Sequence, residues 1–249
     1  MELLLTMFFG ALGAIFASFA AVVAERHHTG ESWLNDRSRC NSCAEPLRAF
    51  DMVPVASYAL SLGRARCCGA RVPWLYPAVE VTLASLFALA YAIVGLTPAL
   101  APFLIALALL TFIVLYDLRH TVVPTAASNL FMAVALAYAY LAASSLATFA
   151  LTVLVAGIIG LFFFLMHALS KGRAMGLGDS PVALGLSLLV GVSALPGLLF
   201  SFWIGALCAV FILVRTPAGH RMGIEVPFVP FLAAGYLLAF FTQWNPLPF

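Results

Sequence analysis

Eight apolar runs constrain this chain more than anything else in it. They cover Met1–Ala24, Pro77–Val94, Pro98–Tyr116, Thr125–Ala143, Leu146–Ala168, Ser180–Leu195, Pro196–Val214 and Val226–Trp244. Several approach the roughly 20 residues that a bilayer-crossing helix needs. Of the 249 residues, 64% are hydrophobic and 9% charged, against about 25% charged in an average protein, so a soluble globule is excluded. The expectation is an all-α membrane protein with about eight transmembrane helices. The net charge of +2 is too small to imply a nucleic-acid partner; the partner implied is the lipid bilayer. Hydropathy sets the boundary between the sixth and seventh runs, near Leu195-Pro196, only loosely.

Three segments follow from this pattern: a first transmembrane helix over 1–24, a polar loop domain over 25–76, and a helical membrane domain over 77–249. The first run lacks the positive flank of a secretory signal, and Arg26, His27 and His28 follow it, so it reads as a retained helix. Seven of the twelve Lys and Arg lie in the polar loop, as Arg26, Arg37, Arg39, Arg48, Arg64, Arg66 and Arg71; the others are Arg119, Lys171, Arg173, Arg215 and Arg221. With eight spans all twelve share one face, which the positive-inside rule makes cytoplasmic. Both termini then lie outside the cytoplasm.

Two carboxylates stand where apolar runs begin or end. Asp179 follows Gly176-Leu177-Gly178 and opens the sixth run, and Asp117 closes the third in Tyr116-Asp117-Leu118-Arg119-His120. The topology places both at the cytoplasmic ends of their helices. A pair of acids at one depth cannot both ionise easily, so one holds a proton while the other acts as a base. That division of roles suits hydrolysis by an activated water. Plainer roles are open for each: Asp179 as the cap of the following helix, and Asp117 as half of a surface ion pair with Arg119. Acids of an ion-coupled carrier would also lie in the membrane, though such sites sit nearer the midplane.

The polar loop holds Cys40-Asn41-Ser42-Cys43 and, after 23 intervening residues, Cys67-Cys68-Gly69. Four thiolates in a segment with little core of its own fit tetrahedral structural zinc, and a cytoplasmic loop disfavours disulfides. Adjacent side chains diverge, so a three-thiolate or metal-free loop is the alternative. Cys208 reads as a small apolar packing residue.

With these features in place, the chain resembles the bacterial type IV prepilin peptidases, membrane aspartyl proteases of the GxGD type. Ala17-Ser18-Phe19, Ser38 through Cys43, Val53-Pro54-Val55-Ala56-Ser57-Tyr58, Gly63-Arg64 and Tyr76-Pro77-Ala78-Val79-Glu80 follow that family's first part in order. Asp117 with Val123-Pro124 resembles its first catalytic segment, Ala174 to Asp179 its second, and Pro227-Phe228-Val229-Pro230-Phe231 its late Pro-Phe-Gly-Pro stretch. The resemblance implies Asp117 and Asp179 as catalytic residues and type IV prepilin or pseudopilin precursors as substrates. It also implies a multi-pass protein of the bacterial inner membrane with its active site facing the cytoplasm, and methylation of the product with S-adenosylmethionine in many members. The sequence departs from the pattern at Ala21, at Ala65 where the second knuckle usually has Cys, at Thr125, and at Ser180-Pro181. These departures bear on zinc binding and methyl transfer rather than on the two acids. A carrier, or a non-catalytic relative whose loop docks assembly partners, would share much of this architecture. Labelling of introduced cysteines should place the loops containing Arg39, Arg119, Lys171 and Arg221 on the cytoplasmic side; Arg119 and Lys171 on opposite faces would refute the shared-face topology.

Overall fold

The computed structural model describes residues 1–29, 38–173, 175–215, 226–244 and 246. Arg37, Ala174 and Arg221, named above, lie outside the described residues. The helices are α1 (Glu2–Thr29), α2 (Ala56–Leu60), α3 (Leu75–Val94), α4 (Leu100–His120), α5 (Thr125–Ala142), α6 (Leu146–Ser170), α7 (Asp179–Val190), α8 (Ala194–Arg215) and α9 (Val229–Thr242). Leaving out the short α2, each is one of the eight apolar runs, in the expected order. Among the described residues, six helical stretches are long and apolar enough to cross a membrane, with Asp179–Arg215 counted as one, and Val229–Thr242 is a shorter apolar helix. Among the described residues the extended pairing amounts to two isolated bridges. The chain is an all-helical, multi-pass membrane protein with a cysteine-bearing loop between its first two long helices.

Two compact units divide it, Met1–Leu100 and Ala101–Phe249. In the first, α1 continues past the expected Ala24 to Thr29 and packs along α3. Gly13 makes that approach possible: a Cβ there would lie 2.6 Å from the Leu83 carbonyl oxygen and 2.9 Å from the Phe87 ring. Phe9 stacks on Tyr91 with centroids 4.9 Å apart.

In the second unit α7 is the hub, packed against α5, α6, α8 and α9. Nine of its twelve residues are buried, which explains why its sequence shows no polar face. Its neighbours meet it through small residues. A Cβ on Gly185 would sit 2.6 Å from the Phe131 ring of α5, and one on Gly160 of α6 would sit 2.9 Å from Leu184. Ser187 and Tyr236 share a buried hydrogen bond of 3.0 Å between α7 and α9, and the Ser180 hydroxyl donates to the Gly160 carbonyl at 2.8 Å. Phe103 of α4 lies against Tyr138 of α5 and Phe240 of α9, with centroids 4.8 and 5.0 Å away.

The break between the sixth and seventh runs falls earlier than Leu195-Pro196. α7 ends at Val190 because Gly191 takes φ +58°, and one 3-10 turn over Gly191–Ser193 leads into α8 at Ala194. Pro196 therefore sits in the first turn of α8, where a missing N–H costs no helical hydrogen bond. Hydropathy passes over such a break because both sides are apolar.

The glycines of α6 and α7 are not equivalent. Gly157 faces open space, unlike Gly160 and Gly185. Gly185→Val should lower stability by about 1–3 kcal/mol through overpacking against Phe131, whereas Gly157→Ala should be neutral or slightly stabilising. Thermal unfolding of the two variants in detergent checks this.

Candidate active site and thiolate cluster

Asp117 lies in the last turn of α4 and is only 4% exposed. Its Oδ2 accepts the Val229 backbone N–H at 3.1 Å. Val229 is the first residue of α9, so this bond ties the end of one helix to the start of another 112 residues later. The start of α9 is itself fixed by Phe228, whose ring meets Phe163 of α6 and Phe202 of α8. The Pro-Phe-Val-Pro stretch therefore has a local task, which is to present an amide to Asp117. With its carboxylate buried on that amide, Asp117 is no surface group.

Asp179 is the first residue of α7 and is 7% exposed. Its carboxylate does not cap α7; Gly178 holds the cap position and makes no side-chain bond. Instead Oδ2 turns back to accept the Gly176 N–H at 3.1 Å, which closes the loop on itself. Asp117 and Asp179 are near enough to interact electrostatically, so the two acids are brought together.

Gly178 shows why this loop needs glycine. A Cβ there would fall 2.5 Å from the Val123 Cβ. Val123-Pro124 follows Asp117 and leads into α5, so the segment after one acid rests directly on the residue before the other. The two sequence motifs are one contact surface.

His167 has no part in the expectations above. It lies near the end of α6, its Nδ1 bonds the Met175 carbonyl at 2.9 Å, and it interacts electrostatically with Asp179. The turn at Lys171-Gly172, with φ +52° and +76°, folds back over its ring. The signal in the sequence was a lone histidine twelve positions before Asp179, at the mouth of an apolar run.

In the other unit, the four cysteine sulfurs Cys40, Cys43, Cys67 and Cys68 all lie within 4.8 Å of one another. Cys40 and Cys68 sulfurs are 3.8 Å apart and those of Cys43 and Cys67 3.3 Å. Tetrahedral zinc with Zn–S near 2.3 Å requires sulfurs about 3.8 Å apart, so the set fits such an ion. The Ser42 and Cys43 amides point at the Cys40 sulfur and lower its thiol to about 6. Cys67 is pushed up to about 12, first by its hydrogen bond with Cys43.

Two turns of like design hold these thiols. In the first, Cys40 N–H donates to the Glu45 carbonyl and Ala44 N–H to the Cys40 carbonyl; in the second, Ala65 N–H donates to Ala70 and Gly69 N–H to Ala65. Ala44 and Gly69 have φ +58° and +71° at matching places. The bridges Arg39 with Pro46 and Arg64 with Arg71 close the two turns. Ala65 thus occupies the place of Cys40, and Cys67, at the place of Ser42, supplies the fourth sulfur. Cys208 is half-buried in α8, apart from this cluster.

Comparison with known proteins decides the family. The model of the bacterial peptidase A24 N-terminal domain matches residues 11–94. The chain is 31% identical to a prepilin leader peptidase/N-methyltransferase of Aeromonas salmonicida (strain A449), over 84% of this chain and 74% of the relative. The chain belongs to the prepilin leader peptidase/N-methyltransferase family. Proteins of the same name from Bacillus subtilis (strain 168) and Burkholderia pseudomallei (strain K96243) are 29% and 34% identical, over 92% and 80% of this chain and 90% and 65% of their own lengths. No solved structure matches. The matched family domain contains the whole thiolate cluster and ends before Asp117, so the acids and the cysteines belong to separate parts of this family's architecture. Metal analysis of the purified protein should find about one zinc per chain, and Cys40→Ser or Cys43→Ser should deplete it at least severalfold; a metal-free wild-type protein would count against the site.

Proposed function

We propose that the protein is a membrane aspartyl endopeptidase that removes the basic leader of type IV prepilin or pseudopilin precursors at the cytoplasmic face of the bacterial inner membrane. The observation that carries this reading is that Asp117 and Asp179 are both buried, on different helices, near enough to interact electrostatically and each fixed by one backbone amide. The pair shares one proton. The ionised acid takes a proton from water as the oxygen attacks the scissile carbonyl, and the protonated acid hydrogen-bonds that carbonyl. Collapse of the tetrahedral species returns a proton to the leaving amine. Val229 and Gly176 amides hold one oxygen of each acid in place, and His167 anchors the loop that carries Asp179. Both acids stand at helix ends, where a leader in the aqueous phase meets an apolar helix in the membrane, which favours hydrolysis over an ion-coupled carrier.

The name shared by the relatives also covers N-methylation. A cavity of about 840 Å³ in the first unit is bordered by α1, the cysteine turns and α3, and its lining includes Glu25, Tyr58, Tyr76 and Glu80. It is large enough for S-adenosylmethionine, and carboxylates suit a sulfonium cation. That group, when bound, supplies an electrophilic methyl. Glu25 is oriented by Asn41 and Tyr76, at 3.1 and 3.3 Å, and Glu80 accepts the Val55 N–H at 2.7 Å. The last bond holds Val55 at φ +60°, a costly conformation for a β-branched residue. Zinc on Cys40, Cys43, Cys67 and Cys68 would cross-link this loop and take no part in either reaction.

Asp117→Asn and Asp179→Asn should each slow leader cleavage by at least about a hundredfold with the protein still inserted and abundant; wild-type processing by either variant would remove that residue from the mechanism. Gly178→Ala should impair cleavage through its overlap with Val123, and adding Val123→Ala should restore part of the loss. Both are read from the rate of precursor conversion in membranes.

A further inference from the structure

Arg64 and Arg71 oppose each other across the antiparallel bridge that closes the second cysteine turn. Like charges placed directly opposite are unfavourable. Among the described residues neither guanidinium has a hydrogen-bonding or acidic partner, whereas the neighbouring Arg66 pairs with Asp51 at 3.6 Å. The two border a cavity of about 290 Å³ whose other lining residues are Tyr58, Leu62, Gly63 and Val72. Two exposed guanidiniums on facing residues of one turn can be bridged by a single anion. The planar fork of arginine matches the oxygens of a phosphate.

The surroundings select the kind of phosphate. Leu62, on the cavity's rim, is 88% exposed, and Trp74, the cap of α3, is 73% exposed. Leu60 and Phe50 are exposed as well. Such side chains are out of place in a water-facing loop and suited to the interface, where tryptophan is enriched. Arg71 stands four residues before α3 begins at Leu75, so at most about 14 Å of extended chain separates it from a membrane-crossing helix. We propose that Arg64 and Arg71 form a binding site for the phosphate of an anionic phospholipid, with Leu62 beside the acyl chains. A headgroup carrying its own ammonium would meet two guanidiniums, so phosphatidylglycerol is preferred over phosphatidylcholine. The larger cavity shares Arg64 and Arg71 with this one, which makes methylation a necessary control.

The test uses the full-length protein in detergent, with retained lipid counted by native mass spectrometry. Wild type should retain phosphatidylglycerol at least tenfold better than phosphatidylcholine, and Arg64→Gln with Arg71→Gln should lose at least tenfold of that retention. Arg66→Gln should behave as wild type. Leu62→Glu, at a position 88% exposed, places a competing carboxylate at the rim and should cause a similar loss, so the test stands even where the double variant fails to fold. Retention unchanged in Leu62→Glu and in the folded double variant overturns the proposal. So does displacement of the lipid by an equal concentration of inorganic phosphate, which would make this a free-anion site. Loss of product methylation with lipid retention intact would assign the pair to the cofactor cavity instead. With pre-cleaved pilin supplied as the methylation substrate, leader cleavage enters none of these readouts, so the lipid site and the peptidase reading fail separately.

Discussion

The bond from the Val229 amide to the Asp117 carboxylate is the constraint around which the second unit is built. A carboxylate buried among apolar helices is costly unless its oxygens are satisfied. The partner here is the first N–H of a helix, a group with no bond inside that helix and with the positive end of its dipole behind it. One bond thus answers two needs, and it also fixes where α9 must start. Phe228, held between α6 and α8, then passes that constraint to two more helices. Asp179 is held by a tighter device, a loop amide three residues away, so its position depends on the loop's shape and hence on Gly178 and Val123.

The two units solve different problems. The helices of the second bury one another closely, with Gly160 and Gly185 letting backbones approach α7 where lipid offers no hydrophobic drive for association. The loop of the first unit has too few apolar residues inside to do the same, and its exposed Phe50, Leu60 and Leu62 do not build a core. Turns closed by backbone bonds and a cluster of four sulfurs give it order instead, which is how small segments without cores are held.

Much of this was legible in the sequence because membranes impose coarse rules. Helix number and order followed from hydropathy, and the thiolate cluster from Cys-x-x-Cys in a polar segment. What was not legible depended on contacts between distant residues. The Gly191 break is invisible to hydropathy because Leu188 to Leu195 is apolar on both sides of it. Val229 offers a backbone amide, and a side-chain pattern cannot report a backbone donor. The sequence leaves a three-thiolate loop open because the side chains of adjacent cysteines usually diverge. The second turn keeps its backbone pattern while shifting the thiol by two places, and only coordinates show that. His167 is one histidine among apolar neighbours, with nothing in its spacing to link it to Met175.

The lengths of α7 and α9 have a consequence for the membrane itself. At 12 and 14 residues, and 1.5 Å per residue, they reach about 18 and 21 Å, against roughly 30 Å of hydrocarbon. Helices shorter than the local hydrocarbon thickness are accommodated in part by drawing the leaflets inward. α7 begins with Asp179, and α9 begins with the amide that holds Asp117. Where these short helices meet lipid, the mismatch would fall close to the acids, so the site should respond to bilayer thickness.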